Sequence, residues 1–318
     1  MDEVVAFERV FAFDPHWTYD NGTVEAISSH RRKLDNELFF DRLLRALSVQ
    51  QAVQLYPPRS NQELRRLHQR IVSSAAPEHH RHSLLYYLLM DCRSHARAAE
   101  QFAARVFLPD KYKTYVDGLW HMDHLQFQDA LEKLTQPSLI PTFPEEILYT
   151  LLRHAPPTDP TLPLSYYHTV SPALTTPKIR DAVFAALCTV SITESFSFAR
   201  GWDDFAHRHL LEQLVAHVLS QSSGETRARD GVELVNVPMT EEEAGWFEEY
   251  LATGRGRTLH GAKDTLMMWR LATGRYAAVL EDGKGPSGRK VDGVNWTVLR
   301  DGLKNGMGSR TGTLSSVR

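Results

Sequence analysis

The chain has 318 residues, 42% of them apolar and 24% charged, with a formal net charge of -3, so it is long enough for one large domain or two ordinary ones without a disulfide or metal staple. No stretch reaches the ~20 uninterrupted apolar residues of a membrane span, and the opening MDEVVAFERVFAF has early acids where a signal peptide has basic and apolar regions, so a soluble, non-secreted protein is expected. Cys92 and Cys188 each sit in a helix-like apolar run and read as small buried hydrophobes, implying no redox chemistry.

The first segment, Phe7 to Asp20, packs Phe7, Phe11, Phe13, Trp17 and Tyr19 around an Asp14-Pro15 turn. It has two readings: a staple onto the first helices, or an anchor for a partner, with Phe11, Phe13 and Trp17 as the candidate partner-binding residues. Helical patterns then dominate. Asp35 to Val49 places Leu38, Phe39, Leu43, Leu44 and Leu47 at helical spacing. Ser60 with Glu63 three residues on forms a capping box ahead of Leu64, Leu67 and Ile71. HSLLYYLLMDC (residues 82–92) is apolar nearly all round, which predicts a helix buried on most sides. VELVNV (residues 232–237) is the best strand candidate, and it stands alone.

In KYKTYVDGLWHMDHLQFQDALEKL a single helix would put Asp123 on the apolar stripe between Trp120 and Phe127, so two helices are expected, with Asp123 capping the second and Gln126 at its third position. LATGR, present at residues 251–255 and 271–275, fits the same template as punctuation: Leu-Ala-Thr ends a helix and Gly stops it. Aligning the turns matches Phe127 with Tyr276 and with Ile192 of SITESFSFARGW, each followed at i+3 by Ala130, Val279 or Ser195, the pattern by which a second helix packs close on a first. The predicted architecture is all-α, an irregular solenoid of packed αα-hairpins. Its expected extent is residues 1–282, including an aromatic-rich N-terminal segment 1–26. A flexible, basic tail over 283–318 follows, holding eight of the 18 glycines and a possible short helix at Trp296 to Leu303.

Catalytic and metal motifs do not assemble. GRTLHGAKDT (residues 256–265) has the glycine spacing of a phosphate loop, but Ala262 stands where Lys is needed and no strand precedes it. GxSxG and HExxH are missing from the sequence. The histidines occur as loop clusters or pairs (His79, His80 and His82; His121 and His124; His207 and His209), short of the three or four converging ligands of a zinc site. Asp123 and Asp204 read as cap and surface aspartates before they read as an acid–base pair. The expectation is a protein that is not an enzyme, with no cofactor, no metal and no small-molecule substrate.

Taken in order, LFFDRLL with YPPRSNQELRRL, HSLLYYLLMD, FLPDKYKTYVDGLWHMDHLQFQDALEKLTQPSL, TPKIRDAVFAALCTVSITESFSFARGWDD, and NVPMTEEEAGWFEEYLATG with WRLATGRYAAVLE resemble the ELYS-like domain of nuclear pore assembly proteins, in particular its short fungal forms. The resemblance runs from about Ile27 to Glu281. It implies a helical structural component of the Y-shaped coat complex at the nuclear envelope, docking on the small WD40-propeller nucleoporin and the adjacent arm nucleoporin. Animal forms add a β-propeller and chromatin-binding AT-hooks. Neither lies in these 318 residues, so direct contact with DNA or chromatin is not an expectation, although 283–318 is weakly basic. A soluble helical-repeat adaptor unrelated to the pore is the alternative reading, and a helical enzyme using the histidine clusters is a third.

Overall fold

The structure is a computed structural model that describes residues 3–13, 19–92, 97–156, 159–281 and 296–306. Among these residues it is all-helical, and it divides into two compact units, residues 1–182 and 183–318. No helix among them is long and apolar enough to cross a membrane.

The first unit contains α1 (Phe7–Val10), α2 (Asn21–Lys33), α3 (Phe39–Ala46), α4 (Asn61–Val72), α5 (Glu78–Met90), α6 (Ala98–Arg105), α7 (Asp110–Asp123), α8 (Phe127–Leu134), α9 (Pro144–His154) and α10 (Thr161–Val170). Its centre is α5, where every residue from His82 to Leu89 is buried. That helix is apolar all round because α3, α4, α6 and α7 all pack against it, and a helix enclosed on every side has no polar face to keep. Ser60 starts α4 as its spacing predicts, accepting a bond from the Glu63 amide at 3.2 Å, while the Glu63 carboxylate accepts from the Arg59 amide. The expected helix over 35–49 begins later, at Phe39. Asp35 and Asn36 take left-handed conformations, φ 58° and 67°, which end α2 and turn the chain into α3; short polar side chains tolerate that region.

The boundary α11 (Pro177–Val190) leads into α12 (Ile192–Ala199), α13 (Asp204–Ser220), α14 (Glu225–Asn236), α15 (Glu241–Ala252), α16 (Ala262–Ala272), α17 (Tyr276–Glu281) and α18 (Trp296–Lys304). In the second unit α13 plays the part of α5, with Leu210, Leu211, Leu214, Val215 and Val218 buried where α12, α14 and α15 pack on it. The strand candidate VELVNV is corrected: Val232–Asn236 is the last part of α14, and its apolar residues Leu234 and Val235 are buried by helical packing. Within each unit, several helices adjacent in sequence pack on one another, among them α7 with α8, α9 with α10, α12 with α13 and α15 with α16, the local pattern of an irregular solenoid.

The hairpin alignment is reproduced residue for residue: Phe127, Ile192 and Tyr276 are the first residues of α8, α12 and α17, and Ala130, Ser195 and Val279 are all buried. Both LATGR copies end a helix. Gly274 does so in the left-handed conformation, φ 73°, whereas Gly254 is extended, and what requires glycine there is the Tyr250 backbone, 2.9 Å from where a Cβ would sit. The helix expected within the tail is α18, which packs on α17. The rest of the tail, 283–295 and 307–318, lies outside the described residues.

Candidate functional site

The three candidate anchors have different surroundings. Phe11 is completely enclosed, its ring 4.7 Å from that of Phe7 and edge-on to His68. Phe13 is half-buried against the same core, and Trp17 lies outside the described residues. Phe7 and Val10 are buried with Phe11, and Tyr19 passes its hydroxyl inward, so this part of the segment staples the first unit closed.

The inward hydroxyl leads to a polar network that spacing alone did not reveal. Asp91, at the end of α5, is buried and accepts from the Tyr19 and Tyr56 hydroxyls, both at 2.8 Å, and from the Trp120 indole at 2.8 Å. His124 stacks on Trp120 with ring centres 3.7 Å apart and holds its Nε2 3.8 Å from Asp91. The hydroxyls of Tyr19 and Tyr56 are held protonated, far above their ordinary range, by burial first and by the Asp91 charge second. A carboxylate with three buried donors is a structural knot.

Asp123 forms a second knot, and its role differs from the one its spacing suggested. It is the last residue of α7, not the cap of α8, which starts after a turn through His124, Leu125 (φ 60°) and Gln126. Its carboxylate reaches back across the first unit to the start of α3, accepting from the Phe39 amide at 2.7 Å, the Phe40 amide at 3.0 Å and the Tyr87 hydroxyl at 2.7 Å. Leu38, at the N-cap position of α3, has no side-chain oxygen, so the free amides of that helix are capped by a residue more than eighty positions later. Asp41 adds a bond from the Leu38 amide and a two-toothed ion pair with Arg31 at 3.0 and 2.8 Å. Burial pushes the Asp123 carboxyl up to about 7, and the three donors pull it down only in part.

The second unit has a comparable lock. Arg200, closing α12, donates twice to Glu243 at 2.7 Å and once to the Pro238 carbonyl. Glu243 is also the third residue of α15 and completes a capping box with Thr240, its Oε2 2.7 Å from the Thr240 amide. His207 lies 3.2 Å from the same carboxylate. Although burial raises the Glu243 carboxyl, Arg200 and the Thr240 amide hold it below the usual range.

None of these groups is arranged for catalysis, because each carboxylate is enclosed by its own donors. Among the described residues no group of three or more His, Cys, Asp or Glu could hold a metal. The thiols of Cys92 and Cys188 are buried, and burial pushes both up, Cys188 to about 11. The phosphate-loop near miss is a short 3-10 turn, Arg255–Thr258, leading to Gly261 at the start of α16.

The first unit also leaves apolar surface open. A cleft of 420 Å³ lies between α3, α5, α7 and the connection after α8. Ile140, in that connection, is 95% exposed at its edge. The sequence signal for it was QPSLIPTF, two aliphatics between prolines with no helix face to bury them.

Two comparisons bear on this architecture. The family described as ELYS, nuclear pore complex assembly, matches residues 37–254, well over half of the chain. The Schizosaccharomyces pombe protein described as uncharacterized protein ely5 is 31% identical over 153 residues, covering 47% of this chain and 50% of that protein. The chain thus spans about half the length of that curated relative. The matched residues include α3, α5, α7, α12 and α15, the helices tied together by Asp91, Asp123 and the Arg200–Glu243 pair.

Proposed function

The chain belongs to the ELYS family of nuclear pore complex assembly proteins, and on that premise we propose that it is a structural nucleoporin of the Y-shaped coat complex. In this reading it binds the small WD40-propeller nucleoporin and the adjacent arm nucleoporin directly, through surface docking and without enzymatic chemistry. The observation that carries the proposal is the family match over residues 37–254. It is supported by what that stretch contains: paired helices whose buried acids are taken up by internal donors, with apolar residues such as Phe107, Ile140 and Phe205 left at the surface. Aromatic and aliphatic side chains held on a rigid scaffold suit an interface.

Mixing the purified protein with a reconstituted propeller–arm complex and following size-exclusion chromatography tests the claim. Co-elution at micromolar concentration is expected, and separate elution overturns it. A fluorescent fusion should mark the nuclear rim; a diffuse signal favours the helical-adaptor reading. The involvement of Phe11, Phe13 and Trp17 belongs to the same proposal and is tested by triple alanine substitution. Because Phe11 is enclosed, loss of binding counts for the anchor reading only if the melting temperature is kept.

A further inference from the structure

We propose that the cleft between α3, α5 and α7 is the docking groove for an amphipathic helix of a partner nucleoporin, apolar along one face and flanked by acidic side chains. This deepens the function proposed above and rests on it. The half-buried Leu43, Leu47 and Tyr112 form the sides of the cleft, and the buried Val116 and Leu84 form its floor. On α3, Leu43 and Leu47 stand one turn apart and are only half-buried; on α7, Tyr112 and Val116 repeat that spacing, and Leu84 of α5 lies between them. Rows at i and i+4 are ridges that flank the grooves into which another helix packs, and the α3 and α7 rows provide two sides of such a site over a floor at Leu84. No strand among the described residues offers an edge for an extended peptide, so the helix-in-groove mode is the one that fits. Ile140 at the rim is 95% exposed among the described residues, and a helix seated in the groove would cover it.

Charge selects the occupant further. Lys111 is the one lysine or arginine among the described lining residues, no carboxylate lines the cleft, and the Lys111 amine lies 5.2 Å from the centre of the Tyr112 ring. An acidic flank on the incoming helix would meet that amine, and a basic one would be repelled. The segment 283–318, with seven Lys or Arg against two Asp, has the wrong sign to be the occupant.

The test uses the full chain and the reconstituted propeller–arm complex, with wild type, Lys111→Glu and Ile140→Asp compared by affinity and melting temperature. Both positions are exposed, so melting should be unchanged while affinity falls at least tenfold for each, and the salt dependence of binding should shrink in Lys111→Glu. A photo-crosslinker at position 140 should join to a partner segment with apolar residues one turn apart and flanking Asp or Glu. Wild-type affinity in both variants, or a crosslink to a second copy of this chain or to a basic segment, overturns the groove while leaving the function proposed above intact. Failure of the wild type itself to bind would remove both.

Discussion

Replacing Asp123 by alanine should cost far more than the removal of an ordinary helix cap. A surface N-cap is worth about 1 kcal/mol. Here the carboxylate serves three donors, the amides of Phe39 and Phe40 and the hydroxyl of Tyr87, on residues that are at most 2% exposed. Each donor left buried without a partner costs about 1–3 kcal/mol, so the gross loss is about 6 kcal/mol if the midpoint is taken for all three. Against this stands the cost of holding the carboxylate dry. A carboxyl moved from its ordinary value near 4 to about 7 lowers stability at pH 7 by roughly 4 kcal/mol, at 1.36 kcal/mol per unit. The alanine variant is freed of that term, so the net loss at pH 7 is about 2 kcal/mol. The sign follows from linkage. A carboxyl raised in the folded state stabilises fully below its unfolded value near 4, and that stability is lost as pH rises towards 7. The gap between wild type and Asp123→Ala should therefore widen on acidification, by about 2 kcal/mol between pH 7 and pH 5.5. Urea unfolding at the two pH values gives the gap, and hydrogen exchange of a peptide spanning 37–47 localises it to the start of α3. A loss under 1 kcal/mol would refute the capping argument. A gap that does not change with pH would show that the donors, not burial, set the ionisation.

Gly118→Ala should destabilise by about 1–2 kcal/mol although alanine is the better helix former, because the new Cβ would stand 2.6 Å from Leu134, itself buried where α7 meets α8; a raised melting temperature would contradict this. Arg200→Ala should cost about 1–2 kcal/mol at pH 7 by leaving the Glu243 carboxylate short of its two-toothed partner. Since Glu243 is held below its usual range, that difference should fade as pH falls below about 4, and a difference constant from pH 7 to pH 3 would exclude the pair as its source. Ending the chain at Asp282 should lower the melting temperature by less than ~4 °C, and a larger fall would show that α18 contributes to the core of its unit.

The hairpins were legible from local rules. Ser60 at the start of α4, the glycine after each Leu-Ala-Thr, and the apolar run from residue 82 act within one or two turns of chain and mark helix ends and a buried helix where their spacing predicts, although the Glu63 carboxylate takes the Arg59 amide and leaves the capping box half-made. The family was legible for a related reason: the stretches that carried the resemblance hold Asp91, Trp120, Asp123, Arg200 and Glu243, the residues that join one hairpin to the next. Three details needed the fold. VELVNV alternates well enough for a strand, and became the end of α14 because burial of Leu234 and Val235 within the second unit overrode local preference. Asp123 has the spacing of a cap for the helix after it, but caps the helix of Phe39, because only tertiary packing decides which free amides a carboxylate can reach. Phe11 is as aromatic as an interface anchor and is enclosed, while Ile140, one aliphatic in a proline-flanked loop, stands in water. Composition specifies how much apolar surface a chain has to bury. Which part stays uncovered depends on contacts between residues far apart in sequence, and those exist only once the helices are packed.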